Sequence, residues 1–267
     1  MMILTSQATI LAIDTLTDHL HVSLVHANMI YQHSAPSLKH ANIIRDVISQ
    51  ACQAAGIALS DLDILVVNIG PGPFTGLRIG LAYVRALAHA LAIPVVGLKH
   101  SELLAYGSHF FDTKFSDRAI SHFATLIDAR LSQVYYSCYC IDTRGVLVQM
   151  SPDAIYDYAA LPTDDASKQG ILCCGHAWQT FLDQLAPAWH NHPISQLDHH
   201  DHGRRQFSLS SFVDAQHNGQ RSRASVMLYT VIYLASLDAL ETVAASELTP
   251  NYIRDQVANK SPPKKPQ

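Results

Sequence analysis

Charge is scarce in this chain. Asp, Glu, Lys and Arg make up 15% of its 267 residues, with a formal net charge of −4, so nothing chain-wide draws it to nucleic acid or an anionic bilayer. Any RNA contact then needs a local basic patch or a basic partner. Cysteine is equally sparse: Cys52, Cys138, Cys140, Cys173 and Cys174 are odd in number and form no C-x-x-C pair. That argues against a disulfide frame or a structural zinc site and predicts free thiols in a reducing cytoplasm. Met1–Gln7 lacks a charged n-region and a small-residue cleavage site, so no signal peptide is expected. The longest apolar stretch, Val226–Leu237, is interrupted by Thr230 and Ser236 and is too short to span a bilayer. There is no H-E-x-x-H motif and no persuasive nucleophile–base pair, which ranks peptidase chemistry last.

What is present is organised around Gly70-Pro71-Gly72-Pro73-Phe74-Thr75-Gly76. The apolar run Ile64–Val67 before it reads as a strand buried on both faces. Thr75 is a candidate N-cap for a helix over 76–92, which Pro94 ends before a strand at Val95–Val96. Leu77-Arg78 after the last loop glycine rules out a Walker A loop, and Thr75 stands where G-x-G-x-x-G needs its third glycine. Two readings stay open: a tight strand-to-helix turn, or a cradle in which Gly70, Gly72, Thr75 and Arg78 hold an anion at a helix N-terminus. Gly76, Gly80, Val84 and Leu87 recur at helical spacing, so one edge of the helix has little bulk and admits a close neighbour. Such a helix belongs in a core or in a subunit interface.

The chain opens on an apolar strand, Ile10–Ile13, followed by Asp14 and Thr15, with the alternating His21–Val25 as the second arm of a hairpin. Asp14 and Thr15 suit either a hydrated magnesium ion or their own turn backbone. A helix is expected over 38–55, with Ile43, Ile44, Val47, Ile48 and Ala51 on its apolar face. His40 in its first turn has Ile44 four residues on, so it is read as a surface or interface histidine rather than a metal ligand. Another helical segment is expected at Ser101–Ala105. Phe123–Asp128 with Val134–Tyr139 then repeats the opening pattern, Asp128 standing 114 residues after Asp14. That spacing predicts two similar α/β halves, each opening on an antiparallel meander. Val146–Val148 would be the third strand of the second half and Ile171–Cys174 another strand, followed by a helix carrying Trp178, Phe181, Leu182 and Leu185. The histidine-rich stretch 187–223 reads as a solvated insertion, 224–245 as a long apolar helix, and 261–267 as a disordered basic tail.

Several of these segments together resemble one family. Ile13-Asp14-Thr15, Lys39-His40, the eleven residues Gly70–Gly80, Ile127-Asp128-Ala129-Arg130 with Val134-Tyr135-Tyr136, Gly175 before Trp178, and Pro250-x-Tyr252-Ile253-Arg254 are similar to TsaB (YeaZ) proteins over about Ile10–Lys260. Two departures are visible. Pro73 replaces a common serine, removing a hydroxyl and an N–H, and the 187–223 segment is longer and richer in histidine.

The resemblance implies an actin-like (ASKHA) α/β fold of two RNase H-like lobes with mixed sheets. The expected division is 1–107, 108–256 and a disordered 257–267. It implies a bacterial partner protein in making N6-threonylcarbamoyladenosine (t6A) at position 37 of tRNAs that read ANN codons. That partner pairs with a metal-bearing paralogue, TsaD, which transfers threonylcarbamoyl from its adenylate; an ATPase, TsaE, joins the pair. The H-x-x-x-H metal ligands of TsaD are missing here, since His40 meets Ile44 and His89 meets Ile93 at that spacing. A non-catalytic role follows. The implied interface, to the paralogue or to a second copy of the chain when that subunit is absent, is carried by His40, Ile44, Val47, Gly76, Gly80, Val84 and Leu87. The isolated chain is expected to carry no cofactor, with ATP or ADP and magnesium confined to the shared interface, and to meet tRNA only through the complex. The competing expectation is an actin-like ATPase or small-molecule kinase using Asp14, Thr15 and the glycine loop around magnesium and phosphate.

Overall fold

The structure, a computed structural model, describes residues 8–36, 40–112, 119–195, 204–208 and 222–253, with the backbone alone at 204–208. Its first sheet contains β1 (Ile10–Asp14), β2 (His19–His26), β3 (Met29–Pro36), β4 (Ile64–Asn68) and β5 (Val95–Leu98). The second contains β6 (His122–Arg130), β7 (Gln133–Ile141), β8 (Leu147–Asp157) and β9 (Ile171–Cys174), in the order β8-β7-β6-β9. A late strand, β10 (Arg204–Ser208), pairs antiparallel with β3, so the first sheet runs β10-β3-β2-β1-β4-β5.

The two sheets share one plan. β1 pairs antiparallel with β2 and parallel with β4; β6 pairs antiparallel with β7 and parallel with β9. Even the turns match: Leu16 N–H donates to Asp14 Oδ1 at 2.8 Å, and Arg130 N–H donates to Asp128 Oδ1 at 2.7 Å. The repeat expected from the spacing of the two aspartates is therefore a repeat of topology.

β1 and β4 are buried throughout, and apolar up to their last residues Asp14 and Asn68, because helices cover both faces of their sheet. On one face, α1 (His40–Ala55) and α2 (Phe74–Leu91) bury Ile44, Val47, Ile48, Leu77, Leu81 and Val84 against Leu11, Ile13, Leu65 and Val67. On the other, α5 (Arg223–Ser236) buries Val226, Met227 and Val231 against Ile10, Ala12, Ile64 and Val66. In the second lobe, α4 (Ala177–Phe181) brings Trp178 beside Trp189 and Tyr136. The two indole N–H groups donate to Ala124 O and Pro162 O, each at 2.9 Å.

The helices at the lobe junction are exchanged. α3 (His100–Phe111) follows the first sheet in the chain, yet Leu104 and Ala105 pack on Phe123, Tyr139 and Leu172 of the second. α5 follows the second sheet and packs on the first. α5 thus lies in the expected 108–256 by chain order and covers the first sheet, because hydrophobic cover is supplied across the chain rather than within each half.

Other expectations shift as well. α2 begins at Phe74 behind Pro73 as N-cap, so Thr75 lies inside its first turn and caps nothing. β3 completes the expected meander at Met29–Pro36, β8 is much longer than Val146–Val148, and the last helix stops at Ser236 instead of running to Ala245. The 187–223 stretch contributes a short 3-10 turn at Pro187–Trp189, with Trp189 fully buried, as well as β10. His199, His200, His202, His217 and the tail lie outside the described residues. All five cysteines are free, four of them buried, and burial pushes the Cys174 thiol up to about 12.

A polar seam ties the lobes beside α3. Lys99 Nζ donates to Gln149 Oε1 at 2.6 Å, and Asn251 Nδ2 donates to Asp153 Oδ2 at 2.9 Å. Glu102 sits in this seam. Loss of hydration holds its carboxyl up at about 7, the nearby Asp153 and Glu241 adding to the rise against Lys99. A raised acid binds its proton more tightly folded than unfolded, so stability declines as pH climbs from about 4.5 to about 7. Thermal melts across that window should show Glu102→Gln flattening the decline; an undiminished slope would assign it to other groups.

Candidate functional site

The glycine loop is shaped from beneath. Gly70 has φ +96°, its N–H donates to Asn68 Oδ1 at 3.1 Å, and its carbonyl accepts from His100 N at 2.7 Å. The chain then enters α2, whose first turns lie against the β1–β2 turn. A Cβ at Gly76 would collide with the carbonyl oxygen of Thr15, and one at Gly80 with Thr15 Oγ1. That hydroxyl donates to Gly76 O at 2.7 Å. The low-bulk edge of α2 is thus closed by its own lobe.

Most of the residues expected from the sequence to carry the interface are packed within the lobe. Ile44, Val47 and Val84 are core residues, Gly76 and Gly80 are buried against Thr15, and His40 is buried with Nε2 bonded to Thr17 O at 2.8 Å. Of the seven residues only Leu87 is half-exposed. The outward face of α2 carries Ala82, Ala86 and Ala90, with half-buried Ile79, Tyr83 and Leu87 on one side and exposed Arg78, Arg85 and His89 on the other. Sequence periodicity found two edges of this helix but could not say which of them its own sheet would take.

The expected magnesium and phosphate ligands are also committed elsewhere. Asp14 is fully buried; besides Leu16 N–H it accepts from Asn68 Nδ2 at 3.4 Å, and Thr15 is tied to Gly76. These two side chains do not fit a hydrated cation. Gly72 abuts the Leu16 side chain, while Thr75 and Arg78 are exposed on the outer turn of α2. The tight-turn reading of the loop is the one the geometry supports. Among the described residues, no group of three His, Cys, Asp or Glu is arranged to hold a metal ion.

Between the lobes lies a cleft of about 620 Å³. Pro71–Phe74 and Tyr252 form one wall, and Asp128–Arg130 with His176 form the other. Arg130 is held by Asp128 at 3.3 Å. At the rim, the Arg78 guanidinium lies 3.6 Å from the centre of the Phe74 ring, and its Nε donates to Tyr252 Oη at 3.1 Å. The Phe74 and Tyr252 rings sit 5.4 Å apart. The expected helix start at Gly76 left Phe74 outside the helix and hid its spacing to Arg78, and no local signal announces Tyr252, which arrives from 174 residues away.

The fold and cleft define an actin-like α/β protein of two RNase H-like lobes. Solved structures agree: YeaZ from Pseudomonas aeruginosa matches over 92% of this chain with a TM-score of 0.65 at 23% identity. A second structure, of a Pseudomonas aeruginosa protein with similarity to peptidase YeaZ, matches over 93% with a TM-score of 0.68 at 24% identity. A family model described as TsaD, tRNA N6-adenosine threonylcarbamoyltransferase, matches residues 33–166. Curated relatives include the tRNA threonylcarbamoyladenosine biosynthesis protein TsaB of Bacillus subtilis, 33% identical over 54% of this chain and 60% of that protein, and TsaB of Escherichia coli, 29% identical over 51% and 57%. An uncharacterized protein of Mycobacterium tuberculosis is 34% identical over 55% of this chain and 67% of its own length. The chain belongs to the TsaB (YeaZ) family.

The Thr15 lock makes a signed prediction. Gly80→Ala should destabilise by about 1–3 kcal/mol through overpacking, and Thr15→Ala by about 1 kcal/mol through the lost hydrogen bond. In the Thr15→Ala background the obstructing oxygen is gone, so Gly80→Ala should become neutral or stabilising, by up to about 1 kcal/mol of helix propensity. Urea denaturation of the four proteins measures the coupling; simple additivity would refute the contact.

Proposed function

We propose that this chain is a non-catalytic partner of a TsaD-like subunit in t6A synthesis, the transfer of threonylcarbamoyl from threonylcarbamoyl-AMP to N6 of adenosine 37 in tRNAs reading ANN codons. Family membership supports the pathway, for its TsaB relatives are named for that biosynthesis and the family model it matches is named for the transferase. The observation that carries the partner role is the outer face of the α1–α2 layer. Ala82, Ala86 and Ala90 present almost no side-chain bulk to solvent; on the same helix Ile79, Tyr83 and Leu87 stand half-buried to one side of them, and Arg78, Arg85 and His89 are exposed on the other. A helix face of this kind lets another helix approach closely and bury apolar area without ordering long side chains. A TsaE-like ATPase is the third component in this reading, and a second copy of the chain takes the same face when the paralogue is absent.

The test uses the full chain with a TsaD-like subunit. Ala82→Arg and Ala86→Arg each place a charge where the partner helix would lie. Either should weaken the complex at least about tenfold, the scale of a hot-spot loss, while leaving the melting temperature of the chain nearly unchanged because both positions are exposed. Mass measurement of modified adenosine in cells depleted of the chain should show the modification falling, with these variants failing to rescue it. Full rescue by both would sink the proposed surface.

A further inference from the structure

The rim of the cleft holds a group of side chains that the docking face does not use. Tyr252 is 43% exposed, a large aromatic surface left in solvent on the exit segment after α5. Its ring is braced by Phe74, and its hydroxyl accepts from Arg78 Nε. Arg78 is held by two aromatic groups, and it pairs with no carboxylate among the described residues, in contrast to Arg130 and Arg144. The result is a fixed positive charge beside a fixed aromatic face in a protein with little charge elsewhere.

We infer that Phe74, Arg78 and Tyr252 form a stacking ledge for an unpaired base of an RNA strand, with the Arg78 guanidinium meeting the adjoining phosphate. The inference rests on the reading that the chain works in a tRNA-modifying complex, and gives the chain its own contact with the nucleic acid. Aromatic faces take any base by stacking, and guanidinium groups take phosphate oxygens in a fork. The ledge stands on the wall that Pro71–Phe74 and Tyr252 give the cleft, with Arg78 exposed beside it. An open ledge supports one face of a base and suits a strand whose other contacts lie on a partner. A free nucleotide would need its sugar and phosphates held as well, and across the cleft Arg130 is already paired with Asp128.

The experiment measures binding of an unmodified tRNA anticodon stem-loop to the complex of the full chain with its TsaD-like subunit, over a series of salt concentrations. Tyr252→Ala should weaken binding about 5- to 150-fold, the range of a single base–aromatic stack. Arg78→Gln should lower the slope of log affinity against log salt by about one. Tyr252→Phe keeps the ring and should retain most of the affinity, separating stacking from a general disturbance of the exit segment. Complex formation is recorded separately by size exclusion, so failure of the partner reading shows as loss of the complex and failure of the ledge as unchanged RNA binding by an intact one. Unchanged affinity and salt slope in both Tyr252→Ala and Arg78→Gln would overturn the inference. So would an effect of these variants confined to ATP or AMP binding by the chain alone, which would mark a mononucleotide site instead.

Discussion

The structure depends on the exchange of two helices. Each sheet has one face covered by helices of its own half, and the other face by a helix lent across the lobe junction: α3 to the second sheet and α5 to the first. Neither half can bury Ile10, Ala12, Ile64 and Val66, or Phe123 and Leu172, without the other. Burial of apolar area is the dominant favourable term in folding, so the two lobes are thermodynamically one unit although their topology is a repeat. The polar seam of Lys99, Gln149, Asp153 and Asn251 sits at the same junction and fixes how the lobes meet.

Within the first lobe the same economy shapes α2. Two glycines bring its axis close enough to the β1–β2 turn for the Thr15 hydroxyl to reach Gly76 O. The inward side is therefore spent, and the outward side carries three alanines with Arg78, Arg85 and His89 beside them. Small residues serve both sides, for different reasons: on the inner side they admit the backbone of the same lobe, and on the outer side they leave a smooth surface. The proposed partner role moves from the glycine edge to the alanine edge, and the chemistry expected of Asp14 gives way to a turn that is repeated at Asp128.

Much of the fold was legible in the sequence. The strand at Ile64–Val67, the glycine turn, the α1 and α2 helices and the paired aspartate hairpins all follow from local pattern, because a doubly covered strand is apolar throughout and a surface helix alternates with period 3.6. The failures have physical causes too. β10 lies in a polar, histidine-rich stretch and owes its pairing to the free edge of β3, which no local signal announces. Trp189 is buried because Tyr136 and Trp178 wait for it, and the assignment of α5 to the first lobe is decided by a sheet more than a hundred residues away.

Local order in the chain is enough to specify the secondary structure around the glycine loop, the internal repeat and the family, since each rests on residues near one another in the chain or on a motif of fixed spacing. Tertiary structure alone decided which edge of α2 is hidden, that Asp14 and Thr15 are occupied, and that Tyr252 meets Phe74 and Arg78. A period of 3.6 gives a helix two apolar edges without saying which is inside. Only packing against the β1–β2 turn, brought there by the sheet, makes that choice.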